Sequence, residues 1–188
     1  MDSLLATLFS VLIAEIGDRP QILAAALAMR FGNDRIVIIA LALATALNCA
    51  ISAVAGSAID QYVSEDPVRL FNGLAYVLAG LGMLMWRRPV ELLDGWKIGK
   101  FLTAFLGLFI LQFGDKGQFI IAANAAMTPY WGFTALGGWI GIMAAVVPAI
   151  VLKEQLAARL PIPTIRKAGG MLLLLWGLIQ ALRAWRIL

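Results

Sequence analysis

LFSVLIAEIGDRPQ (Leu8–Gln21) and FLGLFILQFGDKGQ (Phe105–Gln118) are two copies of one segment, an apolar stretch interrupted by Gly-Asp-base-x-Gln. The offset is 97 residues, and with no gap it also sets Arg69 on Arg166, Gly73 on Gly170 and Gly80 on Gly177. One register held that far marks duplication of a whole half of the chain. If each half crosses a membrane three times, the second copy must enter from the opposite side. That is the inverted repeat on which many secondary transporters are built.

Composition requires the membrane. The chain is 62% apolar and only 14% charged over 188 residues, and mean hydropathy is +0.89. A soluble domain carries about 25% charged residues. Residues 36–59, 70–86 and 117–152 hold no charge at all, and about 20 apolar residues suffice for a helix to cross the hydrocarbon core. The expected fold is an all-α polytopic membrane protein. Its six transmembrane helices, near 4–29, 36–59, 69–86, 101–127, 132–152 and 167–185, form two inverted three-helix repeats. The halves are residues 1–88 and 101–188, joined by a linker at 89–100.

Basic residues orient these spans. Arg69, Arg183 and Arg186 fall on the N-terminal face, whereas Arg30, Arg35, Arg87, Arg88, Lys97, Lys100, Lys153, Arg159, Arg166 and Lys167 fall on the other. By the positive-inside rule that second face is cytoplasmic, so both termini point out. The net charge of +4 thus reads as an orientation signal and not as a nucleic-acid site. Asp2 at the start and Glu15 inside the first apolar run speak against a cleaved signal peptide.

Glu15, Asp18 and Arg19 lie midway along the first span, with Asp115 and Lys116 midway along the fourth. A charge at the bilayer centre costs about 2.5–3.5 kcal/mol on insertion scales, so its retention points to function. Glu15 and Asp18 are three apart, hence on one helix face. Acids from both halves could therefore share a pocket. Gly17, Pro20, Gly114 and Gly117 should interrupt both helices there, since Pro20 lacks an amide and glycine permits unusual backbone angles. Carbonyls freed by such a break are cation ligands in discontinuous transporter helices. Gln21 and Gln118 are either further oxygen ligands or helix–helix hydrogen bonders. Arg19 and Lys116 balance the acids.

The motifs Glu-Ile-Gly-Asp-Arg (15–19) and Gln-Phe-Gly-Asp-Lys (112–116) resemble the paired Glu-x-Gly-Asp-Lys/Arg-Thr/Ser motifs of the Golgi Gdt-type calcium/manganese–proton exchangers, a family that includes bacterial manganese exporters. The resemblance runs the length of the chain. It implies a secondary-active antiporter exchanging Mn²⁺ or Ca²⁺ for protons at a midplane carboxylate site, with Glu15, Asp18, Gln112, Asp115, Gln21 and Gln118 as candidate ligands. The partners it implies are the lipid bilayer, the metal ion and protons, in a bacterial inner membrane; homodimerisation is left open. The metal is cargo, so no cofactor is expected. Gln112 replaces a family glutamate, and Pro20 and Gly117 replace hydroxyl residues. Gln112 keeps an oxygen but cannot take up a proton, which implies fewer protons exchanged per ion.

Enzyme chemistry is disfavoured. The chain has no histidine, and its lone Cys49 has apolar neighbours, so the usual activated-nucleophile pairs are missing. The competing readings are an exporter of a monovalent or small organic cation, and a passive channel.

Overall fold

The computed structural model describes residues 1–85, 89–153, 155–156 and 160–185. Arg87, Arg88, Arg159 and Arg186, used above for orientation, lie outside the described residues, as does the expected boundary at residue 88. Eight α-helices make up the described structure: α1 (Asp2–Glu15), α2 (Arg19–Phe31), α3 (Asp34–Tyr62), α4 (Glu65–Met85), α5 (Lys100–Gln112), α6 (Lys116–Ala125), α7 (Trp131–Leu152) and α8 (Ile162–Ala184). The chain is an all-helical multi-pass membrane protein.

Four helices, α3, α4, α7 and α8, are each long and apolar enough to cross a membrane. A fifth crossing is available if α5 and α6, bent by 66° to one another, are one broken span. The pair α1 and α2 does not reach that composition. Glu15, Asp18, Arg19 and Arg30 all fall within or beside it.

Both expected interruptions are present, and they have the same shape. Gly17 and Gly114 each adopt φ of +72°, a left-handed conformation that costs glycine little. Ile16 and Phe113 before them are extended, at φ −65° and ψ near 120°. The amides of Asp18 and Asp115 donate to the carbonyls of Glu15 and Gln112. Pro20 plays a smaller part than expected. It stands in the first turn of α2, where a missing amide is tolerated, so the glycine makes the break and the proline marks the restart.

Packing follows the offset as well. Trp139 Nε1 donates to the carbonyl of Ala42, the residue 97 places before it. On α4 and α8, Gly73 lies against the backbone of Gly177, and Gly80 against that of Gly170. Only glycine lets two helix backbones come so close. Each contact pairs one member with the counterpart of the other, and the opposite running of the numbers makes α4 and α8 antiparallel. Gly137 and Gly141 of α7 meet the carbonyls of Leu4 and Leu8, so α1 and α7 run parallel.

The linker folds back onto the first half. Arg30 donates to the carbonyls of Leu93 and Asp94, and Lys100 Nζ caps α2 through the carbonyl of Phe31. Large apolar side chains such as Ile39, Leu78, Leu172 and Trp176 remain exposed. Their surface is what a lipid-facing exterior requires.

Candidate functional site

Each break ends one helix and starts the next, placing a carboxylate at a helix start: Asp18 at α2 and Asp115 at α6. Neither side chain caps its own helix. They turn instead toward the opposite motif. Lys116 of the second motif forms an ion pair with Asp18 of the first. Reciprocally, Arg19 Nη2 of the first motif lies 3.6 Å from Asp115 Oδ1 of the second. Under the 97-residue offset these two pairs are counterparts. Lys116 also reaches Asp115, at 3.4 Å.

Glu15 completes the cluster from the last residue of α1. One carboxylate oxygen from each of Glu15, Asp18 and Asp115 lies within 4.8 Å of the other two. Glu15 is only 2% exposed, and its Oε2 has no hydrogen-bond partner among the described residues. An unpaired buried carboxylate oxygen is costly, and either a proton or a cation satisfies it. The donor set is all oxygen, suited to hard ions.

The other expected residues take different positions. Gln112, the counterpart of Glu15, accepts from Thr45 Oγ1 at 3.2 Å and from Asn48 Nδ2 at 3.5 Å. Gln21 and Gln118 brace the breaks: their Oε1 atoms each accept the amide of Gly17 or Gly114, both at 2.8 Å. Gln21 Nε2 also donates across to the carbonyl of Ala145 on α7. Gly117 sits one residue inside α6, where an added Cβ would stand 2.6 Å from Glu15 Oε1.

Arg166 is the residue that the sequence reading assigned elsewhere, to a cytoplasmic face. It is buried, donating to the carbonyls of Gly17 (2.9 Å), Met83 (2.9 Å) and Gly82 (3.2 Å), and it pairs with Asp18 Oδ1 at 3.2 Å. Only the repeat alignment hinted at it, by matching it to Arg69. Three acids therefore face three bases (Glu15, Asp18, Asp115 against Arg19, Lys116, Arg166). The local balance is zero, not the −1 obtained without Arg166.

A cavity of about 710 Å³ opens onto this cluster, lined by Asp18, Arg19, Asp115, Lys116 and Arg166 at its floor. Met29, Leu92 and Lys153 line it toward the linker side of the molecule. An ionic site inside an apolar helical bundle, reached by a wide cavity, defines the class: a helical membrane transporter. Comparison with known proteins makes this specific. Residues 3–89 and 100–187 match the family described as divalent cation/proton antiporter GDT1, and the chain belongs to that family. It is also 31% identical over 188 residues to a Vibrio cholerae serotype O1 (strain ATCC 39541 / Classical Ogawa 395 / O395) protein described as "Putative manganese exporter", covering 96% of this chain and 91% of the relative. No solved structure matches. Membership places the chain among transporters of the divalent cation/proton antiport type.

Proposed function

We propose that this protein exports a hard divalent cation, Mn²⁺ ahead of Ca²⁺, in exchange for protons, by alternating access at the cluster of Glu15, Asp18 and Asp115. The observation that carries this is the convergence of those three carboxylates within 4.8 Å, one oxygen of Glu15 being without a partner among the described residues. In this conformation the Lys116 ammonium occupies the position between Asp18 and Asp115. A divalent ion arriving through the cavity displaces it, since adding two positive charges to a neutral buried site is otherwise prohibitive. Protons and metal compete for the same carboxylate oxygens, because a ligand must be deprotonated to bind. Gln112 cannot take part in that competition. The proposed exchange therefore uses fewer protons per ion than a motif with glutamate there.

The architecture proposed for this cycle is six crossings in two inverted halves, residues 1–88 and 101–188, with α1–α2 and α5–α6 as two broken spans. Its support is the identical geometry of the breaks and the exchanged contacts of α4 with α8. Orientation is N-out and C-out, with the linker cytoplasmic. A cysteine at position 95 in a Cys49→Ala background checks this, and Gly95 has open space around it. It should react with impermeant thiol reagents only from the cytoplasmic side; reaction from outside reverses the topology.

Metal uptake into everted vesicles tests the cargo. Expected uptake ranks Mn²⁺, then Ca²⁺, with Cu⁺ and Cd²⁺ far behind, because thiolate and imidazole ligands are missing from the site. A preference for thiophilic metals overturns the ligand assignment. Absence of any divalent flux, with a pH-driven flux of a monovalent or organic cation, favours the second reading, to which the neutral balance of the site lends weight.

A further inference from the structure

The two halves match in sequence but not in conformation, and the difference centres on one pair of arginines. Arg166 is buried at the first break, its side chain 8% exposed, bound to Asp18 and to the carbonyl of Gly17. Its counterpart Arg69 is 50% exposed and pairs with Glu65 one helical turn away, at 2.9 Å. The first break packs against α8, where a Cβ on Gly17 would meet Ile162 at 2.6 Å. The second is open, with nothing within 4 Å of a Cβ on Gly114.

A second asymmetry accompanies this one. Gly56 of α3 lies hard against the carbonyl of Ala122 on α6. The counterparts of these two residues are Lys153 and Ala25, and both line the large cavity. The contact that is closed between α6 and α3 thus has, between α2 and α7, a counterpart position that faces the cavity. Meanwhile the α4–α8 crossing is symmetric, since Gly73–Gly177 and Gly80–Gly170 exchange under the offset. Arg69 therefore occupies on α4 the place in this crossing that Arg166 occupies on α8. What differs is that Arg166 is turned inward, bonded to the carbonyls of Met83 and Gly82 on α4 and to the break beside it, whereas Arg69 pairs with Glu65.

We propose that Arg69 and Arg166 are alternating positioning residues. Arg166 holds Asp18 and the first break while the linker-side cavity is open. In the opposite-facing state Arg69 leaves Glu65 and takes the same contacts on Asp115 and the carbonyl of Gly114, as Ala25 closes on Lys153 and Ala122 parts from Gly56. This rests on the alternating-access reading above and extends it to residues outside the carboxylate cluster.

Cysteine reactivity tests it, in full-length Cys49→Ala protein in membranes. Ala25→Cys reports the linker-side cavity and Ala122→Cys the opposite one. Arg69→Ala removes the contact of the opposite-facing state only, so the ratio of labelling rates, position 25 over position 122, should rise about tenfold. Glu65→Gln should leave that ratio unchanged, because an exposed pair of this kind contributes little. Arg166→Ala should lower the ratio; if that variant fails to accumulate, Arg69→Ala decides alone. An unchanged ratio in Arg69→Ala overturns the proposal, as does an equal shift in Glu65→Gln. Labelling needs no metal. A shifted ratio without Mn²⁺ flux in the parent protein keeps the arginine exchange and removes the cargo assignment, and Mn²⁺ flux with no shift does the reverse.

Discussion

Asp18→Asn and Asp115→Asn should each reduce transport on the order of 100-fold or more while leaving the amount of protein in the membrane unchanged. Altering a residue that merely orients a metal ligand costs about 10–100-fold, and these are proposed ligands. Each is also the acceptor for two bases: Asp18 for Lys116 and Arg166, Asp115 for Lys116 and Arg19. Asparagine keeps one acceptor oxygen and the volume, so the helix breaks should survive. It removes the charge, however, and leaves the site with a surplus of one base in a medium where unpaired charge is expensive. Asp94→Asn is the control. Asp94 is 81% exposed and 3.7 Å from Arg30, an exposed pair whose contribution is about 0–1 kcal/mol, and its flux should match the parent. Flux is to be measured in everted vesicles with expression checked by blotting. Retention of flux in either motif variant removes the two-fold carboxylate site.

Gly117→Ala should weaken apparent metal affinity about tenfold or more, with a smaller effect on flux at saturating metal. The added Cβ would stand 2.6 Å from Glu15 Oε1 and 4.0 Å from Val11 Cγ1. Glu15 must rotate to relieve that contact, and doing so takes its oxygen away from Asp18 and Asp115. Stability should not suffer through the backbone, because alanine in a helix is favoured over glycine by roughly 0.5–1 kcal/mol. Gly132→Ala, also near a helix start but with open space around it, should be silent. Unchanged affinity in Gly117→Ala would separate Glu15 from the metal site. The substitution also gives the family difference a physical meaning. Where hydroxyl residues are usual, this chain has no side chain, and Glu15 fills the space.

Much of this was legible in the residues because the physics is one-dimensional. Apolar runs long enough to cross lipid, glycines within them, and acids that lipid would reject are all properties of position along the chain. The repeat offset added the pairing of Gly17 with Gly114 and of Asp18 with Asp115, which is why both breaks could be placed nearby, although Pro20 and Gly117, expected to share in them, lie inside α2 and α6. Gln21 and Gln118 were legible only as polar groups. Their use as braces for the glycine amides depends on where the broken backbone leaves an unpaired donor.

By itself the sequence determined an all-helical membrane protein with two like breaks and a pocket of carboxylates, since burial cost and backbone freedom are set residue by residue. Tertiary structure alone decided that Arg166 joins the site. Its position along the chain reads as a helix end, but α8 packs on the first break and the long side chain reaches Asp18 there. Tertiary structure likewise decided which half opens. Matched residues imply a symmetric molecule, yet Gly56 touches Ala122 while Lys153 and Ala25 flank a cavity. The physical reason is that the choice between two matched interfaces is made by side-chain packing across the bundle, and a repeat carries no information about which of them closes.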